Sequence, residues 1–363
     1  VLSMSMDIPF GDFDMIYFAG RHAMERSAER LPVRRGGVRI GSVRGTSSHQ
    51  YNPAMILCSP NADEDAGDCY GFCFVYSGNF TASAQQDQRN QTRIQMGIHP
   101  DFFSFRLAPG EVFCAPQVIL SYSSHGLTAL SRSYHRILRE HMCRGPWKHA
   151  RRPVLINNWE ATYFDFNREK LLAIASQAAE LGIEMLVLDD GWFGKRDDDN
   201  SGLGDWFVNT DKLGGTLSDL SEQIHRMGMK FGLWFEPEMV SEDSDLYRAH
   251  PDWALTIPGR EPNRGRNQLV LNMARPDVRD YLLERLTDIL SNAKIDYVKW
   301  DMNRSICDIF SSCSGTERTG ELYHRYVLGV YELLEGFLAR FPHILLEGCS
   351  GGGGRFDAAM LYY

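Results

Sequence analysis

The sequence predicts two domains in series: a β-sandwich, then an α/β barrel of the (β/α)8 TIM type that is incomplete in this chain. Three observations lead there. At 363 residues the chain is longer than one hydrophobic core comfortably serves. Its first third is a succession of short strands separated by turn residues. The remainder alternates apolar strands with helices, and polar side chains gather where the strands end. The boundaries that follow are residues 1–125 for the sandwich, 126–152 for a linking helix and linker, and 153–363 for the barrel.

In order, the expected sandwich strands are Met15–Phe18, Val38–Ser42, Met55–Cys58, Phe72–Tyr76, Arg93–Met96, Phe102–Leu107 and Val118–Tyr122. Clusters such as Pro60–Gly67 and Ser77–Asn79 punctuate them. Ser47–Ser48–His49–Gln50 lacks the strand–turn–helix setting of a hydrolase serine and reads as a polar loop. Thr128 to His141 is a helix with Leu130, Tyr134, Leu138 and Met142 on one face. The basic, proline-punctuated stretch 143–153 is the linker.

Beyond it, Val154–Asn157 is a strand ending in Asn158, Trp159 and Glu160. Asn167 caps a helix that stops at Gly182. Met185–Leu188 ends in Asp189 and Asp190, and Lys230–Phe235 ends near Glu236 and Glu238, with the helix Leu217–Arg226 between them. Pro276 opens a helix running to about Asn292. The strand ending at Asp301 follows, then a helix from about Glu321 to Arg340 and the strand Ile344–Leu346. That gives five barrel strands; the short apolar run Leu269–Leu271 is open between a sixth strand and a loop. Because the pattern breaks off at Tyr363, the chain is expected to be an internal piece of a longer protein.

Composition excludes several functions. A net charge of −9 argues against nucleic acid or an anionic membrane as partner, because either would need a basic face. No apolar run reaches membrane-spanning length. The eight cysteines, Cys313 among them, form no zinc framework, and their scatter fits reduced thiols in a cytoplasm. Among the histidines there is no HExxH, and no metal or cofactor is expected. The glycine run Gly351–Gly354 lacks the Lys-Ser/Thr of a phosphate loop.

The chemistry centres on Tyr297–Arg304. Strand alternation puts Lys299 and Asp301 on one face and Trp300 on the other. A neighbouring ammonium keeps a carboxylate ionised and available as a nucleophile. A salt bridge capping a strand is the plainer reading of a lone Lys-x-Asp. Likewise Trp159, Trp192 and Trp234 each have a packing alternative, Asp189–Asp190 a helix-capping one, and Asp197–Asp199 reads as a solvated loop. What outweighs these is convergence at one barrel end. Acids, amides, cations and indoles together make a sugar site, because charged groups pair with hydroxyls and an indole packs on a ring's C–H face.

Lys299–Arg304, Leu188–Gly194, Trp234–Glu238 and Cys349–Arg355 resemble the motifs of glycoside hydrolase family 36 α-galactosidases. Asn157–Glu160 and Ser48–Gln50 do too, so the likeness spans nearly the whole chain. The resemblance implies a β-supersandwich before the barrel and retaining hydrolysis of terminal α-galactosides of the raffinose and melibiose type. It makes Asp301 the nucleophile on the fourth barrel strand and moves Leu269–Leu271 into a loop. It gives Asp189 and Asp190 the galactose 4- and 6-hydroxyls, and Trp159 and Trp234 the pocket wall. Lys299, Arg266 and Asn303 bind the sugar, while Cys349 and Gly352 border its 2-position. It further implies a homotetramer. The family's acid/base aspartate is expected beyond Tyr363, so this chain alone is expected to be inactive. The alternatives are an α-N-acetylgalactosaminidase, a galactosyl transglycosidase of the same fold, or an inactive sugar-binding fragment.

Overall fold

The computed structural model describes residues 1–311 and 316–363; Cys313 lies outside them. Two compact units form, one of Val1–Arg144, Ser314–His324 and Gly351–Tyr363, the other of Gly145–Cys313 and Arg325–Ser350.

Among the described residues the first unit holds nine strands: β1 Leu2–Ile8, β2 Asp14–Arg21, β3 Met24–Pro32, β4 Val38–Ser42, β5 Tyr51–Cys58, β6 Cys69–Val75, β7 Phe80–Gln86, β8 Thr92–Ile98 and β9 Gln117–Ser123. They make two antiparallel sheets, ordered β1-β8-β7-β4 and β3-β2-β5-β6-β9. Alternate residues turn inward, as Phe80, Ala82 and Ala84 do on β7 and Ile94, Met96 and Ile98 on β8. Helix α1, Gly126–Ile137, continues into wider π-type turns over Leu138–Met142. It docks through Leu130 onto Ile16, Cys58 and Cys69. Its Tyr134 ring lies against Gly71, where a Cβ would come within 2.4 Å of the ring.

Phe102–Leu107, expected as a strand, is irregular. Its backbone is spent elsewhere: Ser104 N donates to Gly320 O and Arg106 N to Glu321 Oε1. Phe103 and Phe105 turn to Phe113 and His324, and ring packing replaces sheet pairing. Conversely β1, β3 and β7 form without having been expected. β3 is almost wholly exposed and polar, so it lacks the alternation that marks a half-buried strand.

The second unit is a partial barrel. Its strands β10 Leu155–Asn157, β11 Met185–Leu188, β12 Lys230–Phe235, β15 Tyr297–Trp300 and β16 Leu345–Gly348 pair in parallel in that order. Between β12 and β15 lie β13 Met239–Val240 and β14 Leu269–Val270, an antiparallel ribbon. Leu269–Leu271 is therefore no barrel strand. The helices are α2 Trp159–Thr162, α3 Arg168–Glu180, α4 Leu217–Arg226, α5 Asp245–Ala249, α6 Pro276–Asn292 and α7 Leu322–Arg340. Asn167 caps α3 by accepting from Lys170 N, and Thr216 and Asp219 form a reciprocal capping box on α4.

Register explains where the chemistry sits. Val187, Gly232, Tyr297 and Leu345 stand level across four strands and fill one interior layer. Gly232 makes room for the Tyr297 ring, since a Cβ there would meet it at 2.7 Å. Two residues further along each strand, the same inward direction is taken by Asp189, Trp234, Lys299 and Glu347. The opposite face is apolar: Trp300 meets Phe337 of α7 edge-on. The polar layer is thus the last interior layer before the strands' carboxyl ends, where barrels of this type place their chemistry.

Candidate active site

Asp301 extends the inward face of β15 and is 4% exposed. Its Oδ2 accepts from Trp234 Nε1 at 3.1 Å and Asn303 Nδ2 at 2.8 Å, and its Oδ1 accepts from Met302 N at 2.9 Å. Burial opposes ionisation of this carboxyl. Lys299, Asn303, Trp234 and Cys349 outweigh it, and the group lies below the ordinary aspartate range. Asp301 is therefore a carboxylate at neutral pH, held by donors and partly stripped of water.

Lys299 donates to Asp189 Oδ2 at 2.8 Å. Burial pulls its ammonium down, but Asp189, Asp301 and Cys349 raise it above the usual lysine value, so it stays charged. Asp189 is fixed from the end of β10 and the residue after it as well: Asn157 Nδ2 donates to its Oδ2 at 2.5 Å, and its own N–H donates to Asn158 Oδ1 at 2.8 Å. Asp190 is clasped by Arg196, whose Nε and Nη2 donate to its two oxygens at 3.0 and 2.8 Å. The two side chains are 5% and 1% exposed. Burial pushes the Asp190 carboxyl up against the pull of Arg196, with Asp189 adding to the rise.

Two glutamates follow β12. Glu236 Oε1 accepts from Asn303 N at 2.5 Å and Gln268 Nε2 at 2.8 Å. Burial first, and the Asp301 charge second, push its carboxyl up to about 8. Glu238 faces the helices, accepting from Trp300 Nε1 at 3.1 Å and Tyr326 OH at 2.7 Å. Glu347 stands opposite Lys299 in the β15–β16 ladder, and desolvation with Asp189 raises its carboxyl too.

Of the residues expected at the site, Asp189, Asp190, Trp234, Lys299, Asp301, Asn303 and Cys349 come together. Cys349 N donates to Trp300 O at 2.7 Å, and its thiol hydrogen-bonds Asp301. Trp159 is half-buried at the end of β10, edge-on to Tyr163 and Phe164. Trp234 lies parallel to Phe193 with only its Nε1 turned to Asp301. Trp192 is fully buried among Phe193, Trp206 and Phe235 and belongs to the packing behind the site. Arg266 is exposed, at φ +53° before β14, and its charge reaches Asp190. Gly352 lies in the first unit, at φ +83°, with Glu25 Oε1 2.8 Å from where a Cβ would stand.

Sequence reasoning missed Arg196, Gln268 and the adjacent Asn157 and Asn158 as partners. Arg196 sits among Lys195 and Asp197–Asp199, a stretch whose charges look solvated. The available signal was a cation six residues after an adjacent acid pair. Among the described residues, no group of three or more His, Cys, Asp or Glu is placed to hold a metal ion. No described helix is long and apolar enough to cross a membrane.

The arrangement is a buried, ionised aspartate flanked by a lysine and by acids and amides able to bind hydroxyls. It suits nucleophilic displacement on a sugar. Residues 112–363 match the melibiase family, and residues 1–108 match the glycosyl hydrolase family 36 N-terminal domain. The chain is 56% identical over 358 residues to the bifunctional α-galactosidase/sucrose kinase AgaSK of Mediterraneibacter gnavus, covering 99% of this chain and 37% of that protein. It is 54% identical over 362 residues to the α-galactosidase AgaA of Geobacillus stearothermophilus, covering 100% of this chain and 50% of that one. The crystal structure of that enzyme superposes with a TM-score of 0.98 at 53% identity, covering all of this chain and 51% of its own. Variants of the same enzyme have been solved with stachyose and with raffinose bound. The chain spans half or less of the length of these curated relatives.

Proposed function

We propose a reaction for this chain from one premise: it belongs to the melibiase family, with the N-terminal domain of glycosyl hydrolase family 36. The reaction is retaining hydrolysis of terminal α-galactosyl residues on raffinose- and melibiose-type oligosaccharides. The observation that carries it is the Asp301 carboxylate, kept ionised inside the barrel by Lys299, Asn303, Trp234 and Cys349.

In the first step an Asp301 oxygen attacks the anomeric carbon. The bond from that carbon to the leaving oxygen breaks, and a second carboxylic acid protonates the departing oxygen. In the second step the same acid, now a base, takes a proton from water. The water attacks the anomeric carbon, the ester opens, and Asp301 returns as a carboxylate. Trp234 and Asn303 share Asp301 Oδ2, fixing the carboxylate plane before the sugar arrives.

Asp189 and Asp190 are assigned the 4- and 6-hydroxyls. Arg196 Nη2 and Nε both reach Asp190 Oδ2, while Oδ1 accepts from Nε alone and keeps a lone pair for a hydroxyl. Trp159 and Trp234 are assigned to the pocket wall, Lys299, Arg266 and Asn303 to sugar hydroxyls, and Cys349 to the 2-position. Cysteine usage supports a reducing, cytoplasmic setting.

The test is kcat/KM of the full-length protein on aryl α-galactoside against aryl α-glucoside, in the parent and in Asp190→Ala. The parent should prefer galactose. Loss of a buried charged acceptor should erode that preference by about 2–4 kcal/mol. No preference in the parent, or an unchanged ratio in the variant, would contradict the assignment.

A further inference from the structure

The segment that follows Asp301, residues 302–311, has no regular secondary structure. Asn303 nevertheless has to hold its amide against the nucleophile. Its backbone has no ladder or helix to anchor it, so the anchor must come from side chains. Glu236 provides one: Asn303 N donates to Glu236 Oε1 at 2.5 Å while Asn303 Nδ2 donates to Asp301 Oδ2 at 2.8 Å. The same Oε1 accepts from Gln268 Nε2 at 2.8 Å, and the Gln268 carbonyl accepts from Arg304 Nη1. Arg304 is the next residue after Asn303, so the contacts close a circuit: Glu236, Gln268, Arg304, Asn303 and back to Glu236. Glu236 and Gln268 are each 1% exposed and Arg304 is 8% exposed, so water does not compete for these bonds.

We propose that Glu236 is a positioning residue for the nucleophile: it pins the Asn303 backbone, and thereby holds the Asn303 amide on Asp301 Oδ2. This rests on the reading of Asp301 as nucleophile. Glu236 does not touch substrate and is not the proton donor to the leaving group, being almost inaccessible and already engaged.

The charge state of Glu236 supports the role. The groups facing it are Asp301, Asp190 with its partner Arg196, the Asn303 N–H and the Gln268 amide. Lys299 and Arg266 act at one remove, through Asp301 and Asp190. Burial first, then the Asp301 and Asp190 charges, outweigh the Asn303 and Gln268 donors and leave Glu236 protonated at neutral pH. Both donors reach Oε1, so the proton belongs on Oε2. A neutral acid can accept the Asn303 N–H without setting a second negative charge beside Asp301. Glutamine has the same shape, an acceptor oxygen and no charge, so it should serve in its place; alanine should not.

The experiment compares Glu236→Ala and Glu236→Gln in the full-length protein, with Asp301→Asn alongside. It measures kcat, KM and the acid limb of kcat/KM on raffinose. That limb reports ionisation of the free enzyme's nucleophile. Glu236→Ala should lose about 10- to 100-fold in kcat with KM within about threefold. Its acid limb should move up by about half a unit or more, as Asp301 loses the Asn303 donor. Glu236→Gln should restore kcat to within about threefold of the parent and return the limb to the parent's position.

A folded Glu236→Ala with parental kcat and limb would overturn the proposal, since a merely structural role lowers the melting temperature and leaves the limb alone. So would a Glu236→Gln as impaired as the alanine variant. If Glu236→Ala does not fold, Glu236→Gln decides: a kcat loss above about tenfold overturns the role. Parental turnover by Asp301→Asn would instead remove the nucleophile assignment itself, and is told apart because it does not involve Glu236.

Discussion

Removing Arg196 should damage the protein far more than its place in a charged loop suggests. The guanidinium and the Asp190 carboxylate are 1% and 5% exposed, with donor distances of 3.0 and 2.8 Å in a forked geometry. Arg196 Nη1 also donates to Ser201 O at 3.0 Å, tying the loop to the pair. At a surface, such a pair is worth about 0–1 kcal/mol. Here Arg196→Met would leave Asp190 buried without its counter-charge, and such a loss costs about 3–5 kcal/mol. Asp190→Asn leaves the opposite charge stranded and should cost a similar amount. In Arg196→Met/Asp190→Asn no charge is stranded, so the cost should fall well short of the sum, by about 2 kcal/mol or more. The assay is denaturant unfolding of the parent, both single variants and the double variant at neutral pH. A single-variant cost below about 1 kcal/mol, or strict additivity, would refute the argument.

Two further outcomes follow from the same electrostatics. Burial and the Asp301 charge push the Glu236 carboxyl up to about 8 in the fold, against an ordinary 4.5. The native state keeps a proton that the unfolded chain has lost, so burial of Glu236 costs stability increasingly as pH rises from 4.5 to 8, by about 1.4 kcal/mol per unit. Glu236→Gln should therefore be close to neutral near pH 4.5 and stabilising by about 3 kcal/mol at pH 7; equal melting-temperature shifts at both would contradict this. Trp234→Phe removes one donor from Asp301 and should raise the acid limb of kcat/KM, so that activity falls earlier as pH drops; an unmoved limb would count against the Trp234 contact.

Much of the site was legible because barrel architecture converts position along a strand into position in space. Asp189, Trp234 and Lys299 each follow an apolar run on its inward face, and parallel pairing sets them level. The helices α4 and α6 were legible down to their ends, since a cap and a proline mark their starts. What stayed hidden depends on tertiary neighbours. Leu269–Leu271 is as apolar as a barrel strand; its pattern alone left it open, and the antiparallel pairing of Leu269–Val270 with Met239–Val240 bears out the loop that the resemblance implied. β3 is too polar to register as a strand until β2 pairs with it. Arg196 looked solvated because it stands among Lys195 and Asp197–Asp199, and its six-residue spacing from Asp190 is a weak signal beside that charged run. The neutral state of Glu236 arises from burial and the Asp301 charge, neither of which is written at position 236. Residues 351–363 continue directly from β16 yet group with the first unit, a change of allegiance that no composition shift announces.

The central claim is that Asp301 forms a covalent bond to galactose. The most direct test mixes the full-length protein with an activated α-galactoside, the fluoride or dinitrophenyl glycoside, and quenches in acid. Peptide mass spectrometry then looks for a hexose adduct. The account predicts one hexose on the peptide containing Asp301, at or near one per protein chain, and none in Asp301→Asn. A hexose on another residue, or full turnover of the substrate by Asp301→Asn, would contradict it.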